Sequence, residues 1–242
     1  MGTKRLRMFA GPNGSGKSTI FNTISSQFDL GIYLNADEIE KQLQCTKLIN
    51  LNDYGLPALS EGRFQSFLHN HSLFLKAISE KFKIDLHCEG SIISTPGGNT
   101  HSYEASILAD FIRTELLKEG RKITFETVMS HPSKIETLKK AKDLGYKNYL
   151  YFICTENVEI NKSRVTERVK NGGHQVPPEK IEQRYHRSLE LLKEAVGHTY
   201  RTYLFDNSED TSQLVLDVYQ GKEVTFQMES IPLWVDKYFL NQ

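Results

Sequence analysis

The sequence predicts a three-layer α/β fold with a mainly parallel sheet, an arginine-bearing helical lid and a C-terminal β-hairpin, and three observations lead there. Leu6 to Ala10 is an apolar run of strand length, a glycine-rich loop follows from Gly11 to Thr19, and Ile20, Ile24 and Phe28 then recur at helical spacing. Further apolar runs of strand length alternate with amphipathic stretches of helical period, the pattern of a parallel sheet covered by helices. Between residues 157 and 196, arginines gather on two helical stretches joined by a glycine- and proline-rich break.

The loop reads Gly11-Pro12-Asn13-Gly14-Ser15-Gly16-Lys17-Ser18-Thr19, a complete G-x-x-x-x-G-K-[ST] phosphate loop in its required strand–loop–helix setting. The fold class is therefore that of a P-loop NTPase. Gly11, Gly14 and Gly16 let the backbone turn its N–H groups toward phosphate oxygens, and the helix opening near Lys17 points its positive end at the same charge. Asn13, Ser15 and Thr19 belong to the same nucleotide-binding stretch. Lys17 is expected to reach the β- and γ-phosphates and the Ser18 hydroxyl to hold Mg²⁺, so the implied ligands are ATP or GTP with Mg²⁺.

Gly31 to Asn35 reads as a second strand ending beside Asp37, with a helix carrying Ile39 and Leu43 behind it. Ligands of open α/β sheets sit beyond the carboxyl ends of the strands. Asp37 is accordingly a candidate to take a proton from a substrate hydroxyl or to order Mg²⁺, and equally a residue type that caps helices. Residues 46 to 99 are less legible. Phe64, Phe67, Leu68, His71, Phe74, Leu75 and Ile78 form a helical stripe expected to pack in a core. His69 and His71 face apart on a helix, so no metal site is expected from them and His87. Ser94 to Thr100 is a loop, and Glu89 with this loop is a candidate for substrate contact.

An amphipathic helix through Ile107, Phe111 and Leu116 closes at Gly120. Arg121 to Thr127 reads as a third strand with Glu126, a second acid, near its carboxyl end. A helix from Ser130 to Gly145 and a continuously apolar strand from Asn148 to Cys154 follow. Arg164 and Arg168 share one helix face, Arg184 and Arg187 another, and the break between them runs from Asn171 to Pro178. Two hinged helices turning arginines toward one point describe a lid, since a guanidinium bridges phosphate oxygens and keeps its charge. Equally, Glu167, Glu182 and Glu190 could pair with those arginines on a solvated face. Tyr200 to Phe205 is a last core strand, and Asn207 after it is a candidate nucleobase contact. Leu214–Tyr219 and Glu223–Met228 suggest a hairpin outside the core sheet, and Trp234 and Phe239 a packed terminal helix.

Composition bounds the partners. The 242 residues carry 30 basic and 30 acidic side chains, a formal net charge of zero, which is no signature of a general nucleic-acid or membrane binder. Cys45, Cys88 and Cys154 are far apart and form no C-x-x-C, so reduced thiols are expected. No apolar run approaches a membrane span, and the phosphate loop begins too early for a signal peptide to precede it. A cytoplasmic location is the expectation.

Gly11 to Thr19, Asn35-Ala36-Asp37-Glu38-Ile39, Phe125-Glu126-Thr127-Val128 with Ser130-His131-Pro132-Ser133-Lys134, Arg168 to Pro177 with Gly172-Gly173-His174, Arg184-Tyr185-His186-Arg187-Ser188-Leu189 and Phe205-Asp206-Asn207-Ser208 together resemble the zeta-toxin-like P-loop kinases, nearer their zeta-like branch than the toxins proper. The resemblance implies one kinase domain over 1–242, with an insertion at about 46–99, a lid at about 157–196 and a C-terminal hairpin plus helix at about 210–242. It implies phosphate binding by Lys17, proton acceptance by Asp37, substrate or metal placement by Glu126, and stabilisation of the transferring group by Arg168 with Arg184 or Arg187. The toxins phosphorylate UDP-N-acetylglucosamine with ATP or GTP, so the implied acceptor is a small molecule, a nucleotide sugar among the candidates. Such toxins pair with antitoxins, although no residue here indicates one. The toxins' basic residue three positions after the Asp is Glu40 in this chain. Two other readings stand beside this one: a nucleoside-monophosphate or polynucleotide-end kinase, and a nucleotide-gated switch that transfers nothing.

Overall fold

The computed structural model describes residues 3–97, 102–172 and 175–241. The chain forms two compact units, residues 1–31 with 124–242, and residues 32–123. It enters the first unit through β1 (Arg5–Ala10), turns through the glycine-rich loop and continues as α1 (Lys17–Ser25). Phe28 lies beyond the end of α1 and is 62% exposed, so the helical stripe expected behind the loop stops at Ile24.

The second unit holds β2 (Ile32–Leu34), α2 (Ala36–Thr46), β3 (Leu48–Asn50), α3 (Glu61–His69), α4 (Ser72–Ser79), β4 (His87–Glu89), β5 (Ile92–Ser94) and α5 (Ser102–Lys118). The expected stripe from Phe64 to Ile78 is two helices. The chain breaks at Asn70-His71 because the His71 ring accepts the Leu73 N–H and caps α4, and beyond that cap Leu75 and Ile78 are exposed rather than core. On α3, Phe64 and Phe67 pack edge-on against Phe111 of α5, with ring centroids 5.0 and 5.1 Å apart. Strands β3, β5 and β4 form a small antiparallel sheet, each strand only three residues long and so too short to show a hydrophobic period in the sequence.

The chain re-enters the first unit along β6 (Ile123–Thr127), then α6 (Ser133–Asp143), β7 (Lys147–Cys154), α7 (Val158–Lys170), α8 (Pro178–Glu190), α9 (Leu192–Gly197), β8 (Arg201–Asp206), β9 (Gln213–Tyr219), β10 (Glu223–Phe226) and α10 (Leu233–Val235), which runs into a π-helical turn, Asp236–Leu240. Within this unit the strand order is β10-β9-β8-β7-β1-β6. Strand β7 is parallel to both β1 and β8, so the alternating faces of these three strands lie in register: Phe9 beside Tyr151 beside Tyr203, and Met8 beside Leu150 beside Thr202.

Both faces are covered, which makes the third layer. On one face Phe9 and Ile153 pack with Ile20 and Leu30 under α1. On the other α6 lies on β7, and Trp234 packs against Phe152 with centroids 5.9 Å apart. The C-terminal hairpin is not outside the sheet. Strand β9 pairs antiparallel with β8, because Val215 to Val218 are all buried, and Asp217 among them is neutralised by Arg201 at 2.6 Å. Strand β10 is exposed along its length.

Candidate active site

The glycine-rich loop is folded as a phosphate loop, and its carbonyls have defined partners. Lys17 Nζ donates to the carbonyls of Gly11 at 3.0 Å and Pro12 at 2.8 Å. Asn161 of α7, fully buried, donates its side-chain amide to the Asn13 carbonyl at 2.7 Å, and Asn207 donates its own to the Ser15 carbonyl at 2.9 Å. The Gly16 carbonyl accepts the Thr19 and Ile20 N–H groups of the first turn of α1. With the carbonyls turned to these donors, the first N–H groups of α1 have no intrahelical acceptor and lie at the positive end of the helix dipole.

Two glycines are required by this arrangement. Gly14 sits at φ +76°, and a Cβ there would lie 2.6 Å from the Asn161 carbonyl oxygen. Gly16 sits at φ +92°, and a Cβ would collide with the Asn207 side-chain nitrogen. Ser15 is fully buried, its N–H donating to the Pro12 carbonyl at 3.3 Å and its carbonyl held by Asn207, whereas Ser18 and Thr19 are exposed.

Glu126, half-buried at the carboxyl end of β6, meets the loop through the Ser18 hydroxyl, which donates to its Oε2 at 2.9 Å. An exposed hydroxyl oxygen beside a carboxylate is a donor pair of the kind a hard divalent cation takes, so these residues fit Mg²⁺.

The two arginine-bearing helices reach this region unequally. Arg184, on α8, donates Nη1 to the Asn13 side-chain oxygen at 3.3 Å. Arg164, on α7, holds the loop after β8 instead, donating to the carbonyls of Asn207 at 2.6 Å and Glu209 at 3.4 Å. Arg168 and Arg187 are exposed on the same two helices. Lysines pair with glutamates on these helices: Lys162 lies 2.7 Å from both Glu159 and Glu182, tying α7 to α8, and Lys170 lies 2.6 Å from Glu167. Val165, Val176 and Ile181 pack between the same helices. Of the break between them, Gly173 and His174 lie outside the described residues, as do Gly98 to Thr100 of the loop after β5.

Helix α8 is fastened at three strand ends: Arg184 to Asn13 after β1, Tyr185 Oη to the Thr155 carbonyl after β7 at 2.7 Å, and Ser188 Oγ to the Val128 carbonyl after β6. Burial raises the Tyr185 phenol pKa far above its ordinary value, which keeps it a neutral donor.

In the second unit, Asn35 rather than Asp37 caps α2, its side chain accepting the Asp37 N–H at 2.9 Å. Asp37 is exposed in the first helical turn. Glu89 is exposed on β4, beside the turn joining it to β5. Among the described residues, no group of three or more His, Cys, Asp or Glu could hold a metal ion, and no helix is long and apolar enough to cross a membrane. Asn161 is a functional position without a motif of its own. Its signal was a polar residue on the stripe that Val158 and Val165 mark along α7.

Comparison with known proteins agrees with this architecture. The family model described as Zeta toxin matches residues 94–214. A Haemophilus influenzae protein, described as uncharacterised, is 35% identical over 69 residues, 28% of this chain and 49% of that protein, so the chain spans about half of that relative. Among solved structures, the AvrRxo1-ORF1:AvrRxo1-ORF2 complex with sulphate ions superposes with a TM-score of 0.59 at 16% identity, covering 99% of this chain and 65% of that one. A structure of the same pair with ATP gives 0.54 at 18% identity, over 93% and 61%. A structure from the PezAT chromosomal toxin–antitoxin system of Streptococcus pneumoniae gives 0.55 at 15% identity, over 100% and 80%.

Proposed function

The chain belongs to the Zeta toxin family, and on that premise we propose that it is an ATP- or GTP-dependent phosphotransferase acting on a hydroxyl of a small molecule, with a UDP-N-acetyl-sugar the first acceptor to try. The observation that carries the reading is the phosphate loop with Lys17 at its helix start, Glu126 against Ser18 and Arg184 against Asn13. AvrRxo1 has been solved with ATP, which supports the same donor here.

In this reading the loop N–H groups bind the phosphates, and Lys17 exchanges its two carbonyl partners for phosphate oxygens. Ser18 and Glu126 would hold Mg²⁺, which offsets phosphate charge when bound. Asp37 accepts the proton of the acceptor hydroxyl as its oxygen bonds to the γ-phosphorus and the bond to the leaving diphosphate breaks. Arg184, with Arg168 and Arg187 as further cations, stabilises the charge on the moving group. Such transfer needs positioning and charge neutralisation more than covalent help, and this set supplies both kinds of group.

A protein partner of the antitoxin kind is supported by the two-chain AvrRxo1 complex and the PezAT system. The reading is tested by incubating the chain with γ-labelled ATP, Mg²⁺ and separate pools of nucleotide sugars, nucleoside monophosphates and 5′-hydroxyl RNA. Label is expected on a nucleotide sugar and absent with Lys17→Ala. Label on a monophosphate or an RNA end would replace the acceptor class, and hydrolysis without any labelled product would remove transfer altogether.

A further inference from the structure

We infer that Asn161 and Asn207 are positioning residues for phosphate binding: two side-chain amides that hold the Asn13 and Ser15 carbonyls turned outward, so that the N–H groups of the same peptides, those of Gly14 and Gly16, face the anion. The inference rests on the nucleotide reading above and deepens it. A phosphate loop binds through successive N–H groups, and each peptide that turns its N–H one way turns its C=O the other. Those carbonyls need donors when they are taken from water.

Here the donors come from outside the loop. Asn161 supplies Asn13 and Asn207 supplies Ser15. Each asparagine is itself fixed. Asn161 is fully buried in α7, its side-chain oxygen accepting from the Thr155 hydroxyl. Asn207 is pinned by its N–H to the Cys154 carbonyl at 2.8 Å, and its carbonyl accepts from Arg164. Both approach so closely that the loop residues beside them, Gly14 and Gly16, have no room for a Cβ. The loop is thus clamped from helix α7 and from the end of β8, and Asn207 acts on phosphate rather than on the nucleobase that the sequence alone suggests for it.

Equilibrium titration with Mg²⁺-tripolyphosphate and with Mg²⁺-ATP tests this, because tripolyphosphate has no base or sugar. Asn207→Ala and Asn161→Leu are each expected to weaken both ligands by the same factor, about tenfold for one lost hydrogen bond of about 1.4 kcal/mol. Thr202→Val, which removes a buried hydrogen bond to Thr199 at the amino end of β8, is the control for destabilisation alone and is expected to bind both ligands like the wild type. Weakening of ATP with unchanged tripolyphosphate would overturn the inference in favour of a nucleobase role. Unchanged affinity for both ligands would also overturn it, as would equal weakening by Thr202→Val. If Asn161→Leu does not fold, Asn207→Ala decides alone. A wild-type chain that binds neither ligand would overturn the nucleotide reading and this inference with it.

Discussion

Lys17 donates to two carbonyls of the loop that precedes it, and those bonds bring its charge to the point where a triphosphate would lie. Replacing it with alanine removes charge-assisted hydrogen bonds worth about 1.5–3 kcal/mol each, so Lys17→Ala is expected to weaken ATP at least tenfold in a binding titration. Glu126 has a different part. Glu126→Gln keeps a partner for Ser18 but loses the negative charge, so the Mg²⁺ concentration for half-maximal rate is expected to rise by about tenfold or more, with nucleotide affinity in metal-free buffer little changed. Asp37 sits exposed in the first turn of α2 and Asn35 does the capping, so Asp37→Asn is expected to leave thermal stability close to native. Its effect belongs on transfer, a fall of about 10²–10⁴-fold for a lost general base; a native rate would end that assignment. The loop was legible at this scale because its spacing is itself the chemistry. Asn161 was not, because its role exists only once α7 lies beside the loop, and a lone asparagine in a helix carries no sign of what it will touch.

Helix α8, one of the two helices of the expected lid, holds Tyr185, Ser188 and Leu189 buried on its inner face, with hydrogen bonds to the ends of two strands. Tyr185→Phe leaves the Thr155 carbonyl without that donor, at about 1 kcal/mol, which in a chain of this size lowers the melting temperature by about 2–4 °C. A melt unchanged by that substitution would mean α8 is not fastened there. Core strands and long helices were readable from their hydrophobic period. Elements fixed by tertiary pairing were not: β9 has a hairpin's sequence, but its four consecutive buried residues join it to β8, and β3, β4 and β5 are too short to show a period. The break between α3 and α4 depends on one ring nitrogen of His71 accepting a backbone N–H, a choice composition does not announce.

Across the whole molecule, buried tyrosines set the alkaline limit of stability. Burial pushes Tyr146 up to about 12 from 10.0, and raises Tyr185 further still. Folded pKa values above the unfolded one mean that the native state keeps its protons where the unfolded chain has lost them. The stabilisation is therefore complete below about pH 10 and is lost as pH rises through the folded values. Melting temperatures taken from pH 8 to 12 are expected to hold until about pH 10 and then fall. The first unit, with its loop, its acid and its arginine-bearing helices, carries the donor side of the proposed reaction, and that is the part the sequence made plainest. The most direct measurement is a calorimetric titration of ATP with Mg²⁺ into the wild-type chain and Lys17→Ala. One site per chain, weakened at least tenfold by the substitution, is the predicted result, whereas no uptake by the wild type, or equal uptake by both, would contradict the account.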